Sequence, residues 1–343
     1  MKKVKIFSLM VCLFFVLSLP MAVSAQTITL SFADQNSDMS WGPVHATQPW
    51  VKQVEKATNG RVKIQIYPNQ TLCKGTQVWK AVKDGIADMG WFLLGYAPGL
   101  APYADVITLP GLPFKTGEQG SEMLWKLYEK FPEMRAQLGD NKILILHTGS
   151  PMILLMPKKT VRTLEDLQGM KIRSHGGPII EVYKKWGAVP VFLPMPDCYM
   201  AMQKGTVDAI GALYEPIPGF RLHEVTKHIT ENTPLNAGHM VVMMNKRKWD
   251  SLPKDIQEAL MSVSGLEGSK FFGLNFFDSA AVPIKKMVQE ETDISIYTLP
   301  DEERQRWVDV GAKPVWETWV DKMESQGHTK AREILNEALS MMR

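Results

Sequence analysis

Apolar and polar residues alternate over residues 27–32 and again over 62–67, the period of two that a half-buried strand requires. Between them, residues 50–58 place their apolar side chains on one helical face and stop at Asn59-Gly60, a pair suited to a left-handed helix end. A second helix is expected over 75–83, ended by Gly85, and a third strand over 86–92. This β-α-β-α-β order implies parallel strands with helices on both faces. A Pro-rich connection over 97–114 leads to a helix over 121–137 and an apolar strand over 142–147. The chain then crosses near Gly149 into a second block. A strand over 240–245 returns to the first block, and a long helical region runs from Leu252 to about residue 291, with Gly265, Gly268, Gly273 and Pro283 placed to bend or break it. Trp307, Trp316 and Trp319 recur at helical spacings and read as packing.

One stretch of the second block carries chemistry. Residues 163–169 predict a short helix ended by Gly169, followed by a strand that delivers Arg173 to a turn forced by Gly176, Gly177 and Pro178. A guanidinium at a strand end can grip a carboxylate or sulfonate through two parallel hydrogen bonds. From local pattern alone, an ordinary surface arginine accounts for it as well.

The first 25 residues read as an export signal. Lys2, Lys3 and Lys5 precede a nearly continuous apolar run over 6–19, and Val23-Ser24-Ala25 is a cleavage pattern predicting release after Ala25 into the periplasm. The run is short for a membrane span, and Cys12 lies inside it rather than at its end, which speaks against a lipid anchor. Removing the three lysines brings the 39 basic residues to 36, equal to the 36 acidic ones. Nothing then suggests a nucleic-acid partner, which calls for a basic excess. About 318 mature residues exceed one ordinary core, so two domains are the default. Cys73 and Cys198 are too few for a disulfide scaffold and are expected as free thiols.

Leu164, Asp166, Leu167, Gly169, Lys171 and Arg173, followed by Gly187, Ala188, Pro190, Tyr199, Ala201, Gln203, Gly205, Val207 and Asp208, form an ordered series. It resembles the binding-protein subunit of tripartite ATP-independent periplasmic (TRAP) transporters, the DctP family. The Tyr67–Cys73 turn and the Leu109–Phe114 segment match the family's opening, with Cys73 in place of its usual glycine and one residue inserted. The resemblance implies an α/β, two-lobed periplasmic binding protein fold, type II-like, with a hinge and a long interdomain helix. It places 26–149 plus about 239–278 in lobe I, and 150–238 plus about 279–343 in lobe II. It also implies a small organic anion as ligand, a small and a large integral membrane subunit as partners, and uptake driven by an ion gradient.

The residues themselves offer no G-x-S-x-G elbow, no metal-ligand spacing among seven scattered histidines and no nucleotide-binding glycine loop, so neither catalysis, a metal nor a cofactor is expected. Position by position, the resemblance makes Arg173 the anion anchor and nominates Gln35, Trp91, Phe92, Met195, Tyr214, Glu215, Asn236 and His239 as further ligand contacts, with Trp41 and His175 as remoter candidates. Ala212 stands where sialic-acid receptors have asparagine, and Met152, Ile153 and Leu154 occupy the region of their second arginine. A smaller anion is therefore expected: an aryl or keto acid, a compact aliphatic acid, or a short sulfonate such as isethionate. The alternatives are a sensory receptor for the same ligands and a periplasmic enzyme acting on a small acid.

Overall fold

The structure, a computed structural model, describes residues 27–342; the expected export signal and its cleavage site lie outside the described residues. In chain order the strands are β1 (Ile28–Ala33), β2 (Val62–Tyr67), β3 (Met89–Leu93), β4 (Asn141–Thr148), β5 (Ile153–Met156), β6 (Lys171–Ser174), β7 (Val189–Phe192), β8 (Ala209–Ala212), β9 (His228–Glu231), β10 (His239–Asn245) and β11 (Ser295–Thr298). They build two sheets, ordered β2-β1-β3-β10-β4 and β11-β9-β5-β8-β6-β7. In the first sheet β1 runs parallel to both β2 and β3, as the alternating pattern predicts. The returning strand β10 is antiparallel to β3 and β4, so this sheet is mixed. Among the described residues no helix is long and apolar enough to cross a membrane.

Local chemistry sets the element ends. The Gln48–Ala57 helix buries Trp50 and Val54 one turn apart, and the chain leaves it through Asn59 and Gly60, both at positive φ. The helix expected over 121–137 begins earlier, at Gly117, where the Thr116 hydroxyl accepts from the Gln119 amide; it then breaks at Phe131-Pro132 into Gly117–Lys130 and Pro132–Gln137. Thr163 and Asp166 form a capping box on the short Leu164–Leu167 turn that precedes β6.

The long helical region is interrupted once and distorted once. Ser264 and Gly265 break it, Gly265 taking φ +62°. From there, Gly265–Phe272 continues through a π-helical segment, Gly273–Asp278, into Ser279–Glu291, and Pro283 is carried inside this last part. Gly268 and Gly273 serve close packing and do not end the helix. A side chain at Gly273 would meet the Gly117 carbonyl at 2.4 Å. Asp278 turns back to accept from the Gly117 and Glu118 amides at 2.7 and 2.9 Å, capping the neighbouring helix. Beyond it, Ala280, Ile284 and Val288 enter the second sheet's core beside Leu155, Ile210 and Ile229. One helix thus packs on both lobes.

The C-terminal segment also divides its contacts, contrary to an assignment of 279–343 to lobe II alone. Trp307 packs at a tilt against Trp186 in the second lobe, with its carbonyl accepting from the Trp186 indole at 3.1 Å. Past residue 312 the chain leans on lobe I: the Trp316 indole donates to Pro110 O, and Ala331–Ser340 packs on the Gly117–Lys130 helix with Lys130 paired to Glu337. Packing and hydrogen bonds within the protein account for Trp307 and Trp316.

Gly273→Ala should lower unfolding free energy by about 1–3 kcal/mol, because the new methyl group would press on backbone that cannot retreat. Gly268→Ala, whose methyl would meet Val263 O and Ile145 at 3.1–3.2 Å, should cost less. Chemical denaturation of the two variants gives the comparison; equal stabilities would remove Gly273 as the tight point.

Candidate functional site

The carboxyl ends of strands from both sheets face one another across a cavity with about 520 Å³ of empty space. β6 brings Arg173 to it, 2 % exposed. Arg173 Nε donates to Leu193 O at 2.9 Å and Nη1 to Gly211 O at 3.2 Å, while Nη2 has no protein partner among the described residues. No described carboxylate lies within ion-pairing distance of it. The turn after β6 is shaped by Gly176 and Gly177 at φ +98° and +75°, and a side chain at Gly176 would meet Gly95 O of the first lobe at 2.2 Å. The turn predicted from sequence is therefore also a contact between lobes.

Burial shifts the other ionisable groups around the cavity toward their neutral forms. Glu215 accepts from the Gly42 amide of the first lobe at 3.1 Å; burial above all, helped by nearby Asp34, pushes its carboxyl up to about 8. Asp34 is pushed up to about 7 by burial, against amide and side-chain donation from Asn36, and its Oδ2 has no partner among the described residues. His175 lines the cavity with both ring nitrogens unpartnered, and burial, with Arg173 and His239 nearby, lowers it to about 3. Tyr96 reaches from the first lobe, its hydroxyl accepting from the Met195 amide at 2.8 Å, and burial raises it against the pull of Arg173.

The remaining wall is apolar and largely aromatic. Trp91 stacks on Phe276 with ring centres 5.5 Å apart and planes within 8°, and Phe277 adjoins Phe276 at 4.7 Å. The Trp91 indole donates to His147 Nε2 at 2.9 Å. An indole can only donate, so this nitrogen must be the bare one; burial lowers His147 to about 3 and keeps the ring neutral. Met152 and Ala212 lie in the same wall.

Of the residues nominated from sequence, the cavity brings together Arg173, Gln35, Trp91, Met195 and Glu215, and also His175. Five others lie elsewhere. Phe92 follows Trp91 along β3 and so points to the opposite face, against Trp79 and Tyr96. His239 is on the far face of β10 from Met240, its Nε2 3.6 Å from Asp105. Tyr214 donates its hydroxyl to Glu231, which also takes Lys285. Asn236 braces the return crossover by donating to Leu109 O at 3.0 Å. Trp41 stacks on His45 and donates to the Ser279 hydroxyl. Cys73 and Cys198 are free.

Sequence reasoning missed Tyr96, Leu93, Phe276 and Phe277. Leu93 was recoverable, since it shares the strand face of Trp91. The two phenylalanines were not: they lie in the π-helical segment, where ordinary helical periodicity misplaces a side chain.

Residues 40–323 match the family described as bacterial extracellular solute-binding protein, family 7. A solute-binding protein of Albidiferax ferrireducens is 30 % identical over 278 residues, covering 79 % of this chain and 80 % of the relative. The C4-dicarboxylate-binding periplasmic protein DctP of Rhodobacter capsulatus is 29 % identical over 295 residues, covering 79 % and 80 %. A TRAP solute-binding protein from Rhodoferax ferrireducens, solved with copurified benzoate, superposes with TM-score 0.87 at 26 % identity, covering 92 % of this chain and 98 % of that one. A marine metagenome TRAP solute-binding protein specific for aromatic acid ligands, solved with 3-hydroxybenzoate, gives the same four values. The chain belongs to family 7 of the bacterial extracellular solute-binding proteins, the DctP family of TRAP receptors, whose members bind solutes and are not enzymes.

Proposed function

We propose that this protein is the periplasmic receptor of a TRAP transporter for aromatic monocarboxylic acids, handing its ligand to a small and a large membrane subunit. The observation that carries this reading is Arg173 Nη2, a buried cationic donor without an acceptor among the described residues, facing an apolar and aromatic cavity. One carboxylate satisfies the guanidinium. With Glu215 and His175 neutral, the lining offers no second cation for a dicarboxylate. An aryl ring removing on the order of 100 Å² of apolar surface from water against Trp91, Phe277 and Met152 gains about 2–3 kcal/mol. Isethionate matches the arginine equally but has no ring to bury there. Two structural relatives at 26 % identity, with benzoate and 3-hydroxybenzoate, point the same way.

Isothermal titration of refolded, ligand-stripped protein should show benzoate and 3-hydroxybenzoate binding about tenfold or more tighter than succinate or isethionate, the ring's share of the affinity. Tighter binding of succinate or isethionate would overturn the aromatic assignment. Arg173→Met should weaken benzoate by at least about a hundredfold, in keeping with the roughly 3–5 kcal/mol lost when one partner of a buried pair is removed. A change within about 1 kcal/mol would sink the anchor.

The pH dependence has a definite sign. Below about 8 Glu215 keeps its proton and adds no negative charge to the cavity; above it, the carboxylate forms and repels the ligand's own. Affinity for benzoate should therefore fall most steeply above about pH 8, by up to about tenfold per unit, with a shallower decline from about pH 7 as Asp34 ionises. Glu215→Gln, which keeps an acceptor for the Gly42 amide, should flatten the profile; an unchanged alkaline fall would assign it to another group.

A further inference from the structure

A second, larger cavity, with about 1060 Å³ of empty space, shares no lining residue with the first. Its walls come from three places: the loop after β3 with Asp105, the Gly177-Pro178 turn with Ile180 and Glu181, and one face of the Lys313–Ser325 helix. That helix contributes Val315, Thr318, Trp319, Lys322 and Met323, the spacing of a single stripe. His239 closes the floor.

The polar groups here are buried without being satisfied. Trp319 is 7 % exposed and its indole N–H has no acceptor among the described residues; His239 is 1 % exposed and neither ring nitrogen has a partner among them. Asp105 Oδ1 stands 3.6 Å from His239 Nε2, beyond hydrogen-bond range. Leaving such groups unpaired costs more than making their bonds gains, which marks the cavity as built for an occupant.

The chemistry of that occupant follows from the balance of groups. Burial raises the Asp105 carboxyl to about 7, with nearby Lys322 opposing the shift, and Glu181 is paired with Lys184. His239 is neutral, lowered to about 3 by burial. Above about pH 7 the Asp105 carboxylate offsets the Lys322 charge, so neither sign dominates the lining. The indole needs an acceptor, the neutral imidazole needs one donor and one acceptor, and Asp105 takes a donor. Hydroxyl groups supply both roles. Pro98, Pro102, Ile180 and the Trp319 ring give apolar surface for the C–H faces of such a molecule. We propose that this cavity is a second binding site, for a neutral hydroxyl-rich solute: a compact polyol or monosaccharide held by Trp319 Nε1 and His239.

The test follows the Trp319 indole N–H signal in ¹H–¹⁵N spectra of the mature protein, identified by its loss in Trp319→Phe, during titration with xylitol, myo-inositol and glucose. A saturable shift with at least one of the three is expected. Calorimetry should then show Trp319→Phe weakening that solute by about tenfold, one hydrogen bond's worth, while Lys322→Met leaves it nearly unchanged. Trp319→Phe keeps an aromatic ring at the packed position but is smaller, so a thermal melt of the variant checks that it folds, and His239→Phe provides a second reading. The proposal is overturned if no probe gives a saturable shift. It is equally overturned if succinate or benzoate moves the signal and Lys322→Met abolishes that response, which would make the cavity an anion site.

Discussion

A guanidinium taken out of water must be held by something, and here the protein supplies only part of what holds it. Arg173 spends two of its donors on backbone carbonyls of its own lobe and keeps the rest for the space between lobes. The burial that makes this costly also draws charge from its neighbours: Glu215 retains its proton near neutral pH, Asp34 is raised to about 7, and His175 stays unprotonated. Among the described lining residues, Arg173 is left as the charge that dominates near neutral pH. Selectivity for an anion and neutrality of the surrounding acids are thus two results of one low-dielectric environment.

The lobes meet through a few polar contacts ringed around this charge. Glu215 takes the Gly42 amide, Tyr96 takes the Met195 amide, Asn236 reaches Leu109, and the Gly176 turn rests on Gly95. Each joins a cavity residue, or its immediate chain neighbour, to the opposite lobe. Residues nominated as ligand contacts but found elsewhere, such as Asn236 and Tyr214, brace the segments that carry the wall. A family pattern marks both wall and brace, because a misplaced wall is as damaging as a missing contact.

Much of this was legible in the chain. Strand alternation gave β1 and β2 nearly to the residue, and the glycine pair after Arg173 announced the turn. Facing was read less well. The pattern groups Trp91 with Phe92 although consecutive strand residues point apart, and it groups His239 with its neighbours by position rather than by side. The C-terminal helices were undecidable from pattern, since an apolar stripe says that a helix packs without saying on what. Phe276 and Phe277 were hidden for a different reason: the backbone that carries them does not keep the helical period.

That irregular segment has a consequence for how the chain can change over time. Gly273–Asp278 holds wider turns inside a helix anchored at both ends, by Gly273 against Gly117 on one side and by Ala280, Ile284 and Val288 on the other. Loss of one residue there would let the segment wind as an ordinary helix while the distal half kept its facing, whereas a loss in the regular turns beyond it would rotate everything downstream by about 100°. In the first case the aromatic pair would be re-aimed; in the second the apolar stripe of Ala280, Ile284 and Val288 would face water. Substitutions along this helix can be absorbed one at a time, but a change of length is tolerated only where wider turns already take up a residue: the phase of the two halves is what descent must keep.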